Sequence, residues 1–197
     1  FKNVTANHTI EAVFAKVEAK PTNPFVDVAE GTYYYDPVLW AVANGITSGV
    51  DATHFDPNGT CTRAHAVTFL WRAAGQPEPK TTQMPFKDVK AGSYYEKAVL
   101  WAVENKITNG TSTTTFSPDK NCTRAQIVTF LWRSEGEPYA SDSNNPFTDI
   151  ASDYYMDAVF WAVKEGITNG TTPTTFSPGE RCTRAQIVTF IYRAMHL

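Results

Sequence analysis

The chain has no run of Lys or Arg, no basic helix, and no apolar stretch approaching the roughly 18 residues that a membrane span needs. Seventeen basic against twenty acidic residues leave a net charge of -3, which excludes an electrostatic nucleic-acid surface. Any anionic ligand must therefore be held by local groups. Catalytic signatures are missing as well: there is no Gly-x-Ser-x-Gly, His-Glu-x-x-His or phosphate-loop pattern, and His8, His54, His65 and His196 do not recur at matched positions. The expectation is a protein that is not an enzyme and needs no cofactor. No charged leader precedes an apolar segment, and the chain starts at Phe1, so it reads as a monomeric fragment whose export signal lies upstream. Cysteine is scarce. Cys61, Cys122 and Cys182 cannot all pair internally, and their spacing fits no zinc pattern, which leaves three small buried hydrophobes or a three-thiol metal site on a pseudo-threefold axis.

What is present is repetition. Cys-Thr-Arg-Ala occurs at Cys61, Cys122 and Cys182, inside a longer frame. Phe25, Phe86 and Phe147 open Phe-x-Asp-(Val/Ile) segments at intervals of 61 and 61, and Trp40, Trp101 and Trp161 open Trp-Ala-Val at intervals of 61 and 60. Then follow Ile-Thr-x-Gly, Phe-x-Pro, Cys-Thr-Arg-Ala and (Trp/Tyr)-Arg. A period of about 60 residues overrides the one-or-two-domain prior of a 197-residue chain. The division is 1–20 as a tail, then 21–80, 81–141 and 142–197 as three units.

Ile10, Ala12 and Phe14 alternate, as in a strand, and the segment resembles the closing strand of short β-repeats in bacterial surface proteins. Within each unit the first helix is signalled at Asp36-Pro37, with Asp as cap and Pro at the first helical position, and stops at Asn44-Gly45. Unit two carries Asn105-Lys106 instead, so Lys106 either takes a positive φ or the helix ends differently. A loop of about fifteen residues follows, long enough to require anchors, for which Phe55, Phe116 and Phe176 are the candidates. The second helix is capped by Thr62, Thr123 or Thr183, and Gln126 and Gln186 complete a capping box that His65 lacks the usual side chain for. The class is mainly α.

The ordered motifs Phe-x-Asp-Val, Tyr-Tyr, Trp-Ala-Val, Gly-Ile-Thr-x-Gly, Phe-x-Pro, Thr-Arg-Ala-Gln and (Trp/Tyr)-Arg, three times over residues 24–197, resemble the S-layer homology family. The resemblance implies a three-pronged, pseudo-threefold bundle with one central helix from each unit. It further implies an extracellular, cell-wall-bound module that anchors a surface protein by binding secondary cell-wall polysaccharide, commonly through a pyruvate ketal on a terminal sugar. The competing function is a protein–protein module for surface-layer assembly. The sequence departs from the family where Cys replaces an aliphatic residue and where His65, Gln126 and Gln186 replace Glu.

Arg63, Arg124 and Arg184 each follow a capping Thr, which would set a guanidinium beside free helix-start N–H groups, a ready carboxylate site. Equally, each could pair with Asp27, Asp88 or Asp149. Gly49, Gly110 and Gly170 offer close backbone approach to a sugar or mark plain turns. Trp40, Trp101 and Trp161 could stack on a sugar face or pack in the core. The first copy, with Arg63 beside His65, departs most from the other two.

Overall fold

The computed structural model describes residues 22–141, 145–151 and 153–197. The strand expected at Ile10–Phe14, and the tail 1–20 containing it, lie outside the described residues. Among the described residues six helices follow in pairs: α1 (Tyr35–Ala43), α2 (Arg63–Ala73), α3 (Glu96–Glu104), α4 (Arg124–Ser134), α5 (Met156–Lys164) and α6 (Arg184–Ala194).

The first helix begins two residues earlier than Asp36-Pro37 suggests. Tyr34 is the N-cap residue and contributes no side-chain bond, while a preceding turn delivers the chain through Tyr35 N–H to Thr32 C=O at 3.1 Å. Asp36 instead stands in the first turn, where a carboxylate suits the helix dipole, and Pro37 occupies a position with no intrahelical N–H to lose. The helix closes at Gly45, φ +67°, with Gly45 N–H donating to Val42 C=O and Ile46 N–H to Ala41 C=O, a Schellman arrangement. Lys106 reproduces it at φ +59° with the same two bonds, to Val103 and Ala102, so the backbone path is conserved and a non-glycine residue bears the strain.

The second helix of each pair is capped by Thr62, Thr123 or Thr183 as expected. The first capping box is complete as well. Thr62 N–H donates to Nδ1 of His65 at 3.3 Å, and His65 N–H donates to Thr62 Oγ1 at 3.2 Å, because neutral imidazole offers an acceptor at the reach of a Gln carbonyl.

Helices α2, α4 and α6 pack on one another at the centre. Each peripheral helix lies not on its own unit's central helix but on that of the preceding unit: α3 on α2, α5 on α4, and α1 on α6, which closes the ring. The three cysteines sit where the units converge. Cys61 N–H donates to Cys182 C=O, Cys122 N–H to Cys61 C=O, and Cys182 N–H to Cys122 C=O, at 2.8–3.1 Å, a cyclic set of backbone bonds about the pseudo-threefold axis. Their side chains are buried free thiols. Phe55, Phe116 and Phe176 are fully buried, and each loop is clamped by a carboxylate: Asp27, Asp88 and Asp149 accept the N–H groups of Phe55 and Asp56, Phe116 and Ser117, and Phe176 and Ser177 at 2.7–2.9 Å.

Candidate binding grooves between units

The loop of one unit reaches over the central-helix start of the preceding one. Arg63 N–H donates to Lys120 C=O at 2.8 Å and Ala64 N–H to Pro118 C=O at 3.0 Å; Arg124 and Ala125 are held likewise by Glu180 and Pro178, and Arg184 and Ala185 by Gly59 and Pro57. The helix-start N–H groups expected to be free for a carboxylate are thus satisfied within the protein. Their donors are saturated by the neighbouring loop and by the capping Thr, so the helix terminus is not itself the anion site.

The guanidinium groups are placed by the same overlap. Arg63 Nε donates to Phe116 C=O, Arg124 Nε to Phe176 C=O and Arg184 Nε to Phe55 C=O, each at 2.8 Å. Each cation also lies over two rings, 4.8 Å from Phe116 and 5.5 Å from Phe130 for Arg63, with the same pattern at Arg124. Only 3%, 2% and 6% of Arg63, Arg124 and Arg184 is exposed, and burial pulls all three guanidinium pKa values down from the ordinary range. The alternative partners Asp27, Asp88 and Asp149 are occupied with loop N–H groups, and among the described residues no carboxylate lies within ion-pair distance of these three arginines. A buried cation with one unpartnered Nη2 is an expensive arrangement unless something else supplies negative charge.

Each groove draws on all three units. In the first, of about 400 Å³, Arg63 of unit one meets the Thr108–Thr111 turn, Gln126 and Arg133 of unit two, and Tyr154 of unit three. In the second, of about 360 Å³, Arg124 meets the Thr168–Thr171 turn, Gln186 and Arg193, and Tyr33. The turn is set by Thr108 and Thr168, whose hydroxyls accept Gly110 and Gly170 N–H, and by Arg133 and Arg193, which donate to Ile107 and Ile167 C=O. Gly110, at φ +82°, has no room for a side chain: a Cβ would fall 2.5 Å from both the Phe86 ring and Thr115 C=O. Its glycine is therefore demanded by the fold's own close approach, while its face still lines the groove.

The pairing within a groove differs from the pairing within a motif. Arg63 and His65, two residues apart, serve different grooves, because Arg63 faces unit two whereas His65 lies in the field of Arg184. The departure at His65 thus falls on the Arg184 groove, not on the Arg63 groove.

Arg63, Arg124, Gly110 and Gly170 come together in these two grooves, and Gly49 occupies the matching turn beside His54 and Phe25. The tryptophans do not join them. Trp101 and Trp161 are buried in the core, and half-buried Trp40 packs edge-on against Tyr192 at 5.4 Å between α1 and α6. Side chains that sequence reasoning left out are Tyr33, Tyr154, Gln126 and Gln186 as groove walls, and Arg133 and Arg193. Their signal was recurrence at matched frame positions, which marks a role without saying which groove it serves.

The family model for the S-layer homology domain matches residues 24–67, 85–128 and 146–188. The chain is 36% identical over 122 residues to an endoglucanase of Bacillus sp. (strain KSM-635), covering 62% of this chain and 13% of the relative. It is 26% identical over 181 residues to a cellulosome-anchoring protein of Acetivibrio thermocellus, covering 87% and 39%. It is 32% identical over 138 residues to a surface-layer 125 kDa protein of Lysinibacillus sphaericus, covering 68% and 11%. The chain thus spans well under half the length of each of these relatives. With three matched stretches falling one on each helix pair, the chain belongs to the S-layer homology domain family.

Proposed function

We propose that this chain is a cell-surface anchoring module that attaches a larger surface protein non-covalently to the bacterial cell wall by binding secondary cell-wall polysaccharide. The ligand end is anionic, and a pyruvate ketal on a terminal sugar fits the grooves. One observation carries this reading: buried arginines line two grooves, and among the described residues no carboxylate lies within ion-pair distance of Arg63 or Arg124. A ketal carboxylate would supply the missing charge, and charge-assisted bonds from a preorganised guanidinium are the strong kind. The surrounding Thr, Asn and Gln groups suit sugar hydroxyls, and Tyr154 or Tyr33 offers a ring face to the sugar's C–H groups. The relatives' names agree with an anchoring role: one is a cellulosome-anchoring protein and another a surface-layer protein.

The test is co-sedimentation and surface binding with purified wall polysaccharide, native and after removal of the ketal by mild acid. The native polymer is expected to bind, the stripped polymer to lose most affinity, and a double Arg63→Lys, Arg124→Lys chain to behave like wild type on stripped polymer, since Lys cannot reproduce the forked contact. Retained binding to stripped polymer would sink the carboxylate reading. No binding to either polymer would favour an assembly module that recognises protein.

A further inference from the structure

The three grooves are related by the repeat but not chemically equal. Where the open grooves carry Gln126 or Gln186, Asn109 or Asn169, and Thr111 or Thr171, the groove of Arg184 has His65, Ser48 and Val50 at the matching positions. Two hydrogen-bonding amides and a hydroxyl are thereby exchanged for an imidazole, a shorter hydroxyl and an apolar branch.

The imidazole is held from three directions. Its Nδ1 accepts Thr62 N–H in the capping box at 3.3 Å. One face lies toward Phe69 at 6.3 Å between ring centres, and the ring stacks with Tyr94 of unit two at 5.9 Å and 25°. Tyr94 is the equivalent of Tyr154 and Tyr33, the walls that face Gln126 and Gln186 in the open grooves. Gln126 and Gln186 accept the same capping bond, from Thr123 and Thr183 N–H at 3.2 and 3.1 Å, so what His65 adds is an aromatic face stacked on the tyrosine across the groove. The neighbouring wall differs too. Thr129 and Thr189 donate to Ala125 and Ala185 C=O at 2.7 Å, whereas Thr68 Oγ1 is buried without a partner.

We propose that His65, stacked on Tyr94, closes the third groove, so that the module takes two anionic sugar ends rather than three. His65 is then the residue that sets the number bound. This rests on the carbohydrate reading above.

The experiment is an amide NMR titration of the wild-type chain with a methyl glycoside of a pyruvylated hexosamine, accompanied by calorimetric stoichiometry. Shifts are expected at Gly110 and Gly170 and not at Gly49, with two ligands bound. A Val50→Thr, His65→Gln chain keeps a capping box, and is expected to bind a third ligand and to bring Gly49 into the shifted set. Three ligands on the wild type, or an unchanged count of two on the folded double variant, would overturn the role of His65. Absence of any shift in the wild type would instead overturn the carbohydrate reading, and this inference with it.

Discussion

Lys106 shows how one residue can be wrong for its place and still be tolerated. The backbone there needs φ near +60°, and open space surrounds the equivalent Gly45 and Gly166, so a side chain meets no clash and only the left-handed strain remains. Lys106→Gly should therefore stabilise the chain by about 1 kcal/mol, the relief of strain less the entropy glycine adds to the unfolded state, as read from urea denaturation midpoints. The cysteines are the opposite case, residues well suited to their place. Burial pushes the Cys61 and Cys122 thiols up to about 12, against 9.0 for an ordinary cysteine, and raises Cys182 too. The folded state thus favours neutral thiols, and the stability this contributes is full below pH 9 and is lost as pH climbs toward 12. A thiol reagent at mildly alkaline pH should leave the folded chain unlabelled and modify all three thiols in concentrated guanidinium; rapid labelling of the folded form would contradict the buried ring.

At the scale of elements, the Ile-Thr-x-Gly turn is built by its surroundings. Gly45 and Gly49 both have positive φ, but only Gly49 has neighbours pressed against the missing Cβ, with His54 C=O and the Phe25 ring at 2.6 Å. Gly45→Ala should cost about 1 kcal/mol from backbone strain, whereas Gly49→Ala should cost about 3 kcal/mol, because overpacking adds to the strain. Thermal unfolding of the two variants separates these cases. The capping boxes were legible in sequence because they are local: Thr and its partner three residues on lie within one turn. The His65 box was not, since His is an uncommon partner and its acceptor geometry appears only once the ring is placed. The start of α1 is not legible for a related reason, as the turn from Thr32 to Tyr35 delivers the chain into the helix without a side-chain cap.

At the scale of the whole molecule, the 60-residue period is not a folding unit. Every peripheral helix rests on the preceding unit's central helix, and α1 completes the ring on α6. A chain ending at residue 141 would leave α1 and α4 without the partners α6 and α5. Such a truncation should lose cooperative urea unfolding and the near-ultraviolet signal of fixed aromatic side chains, while the full chain should show coincident transitions by fluorescence and circular dichroism. A fully cooperative truncated chain would show that two units suffice. The sequence by itself determined the repeat, the helical class, the caps and the recurrence of Arg, Gly and Trp, because these depend on contacts within a few residues or on counting. Tertiary structure decided which of them meet. Trp101 and Trp161 went to the core, the helix-start N–H groups to a neighbour's loop, and Arg63 to a groove other than that of His65. The physical reason is the one-unit offset of the ring: residues adjacent in the chain are divided between interfaces, and the spacing of a repeat carries no record of which unit lies next door.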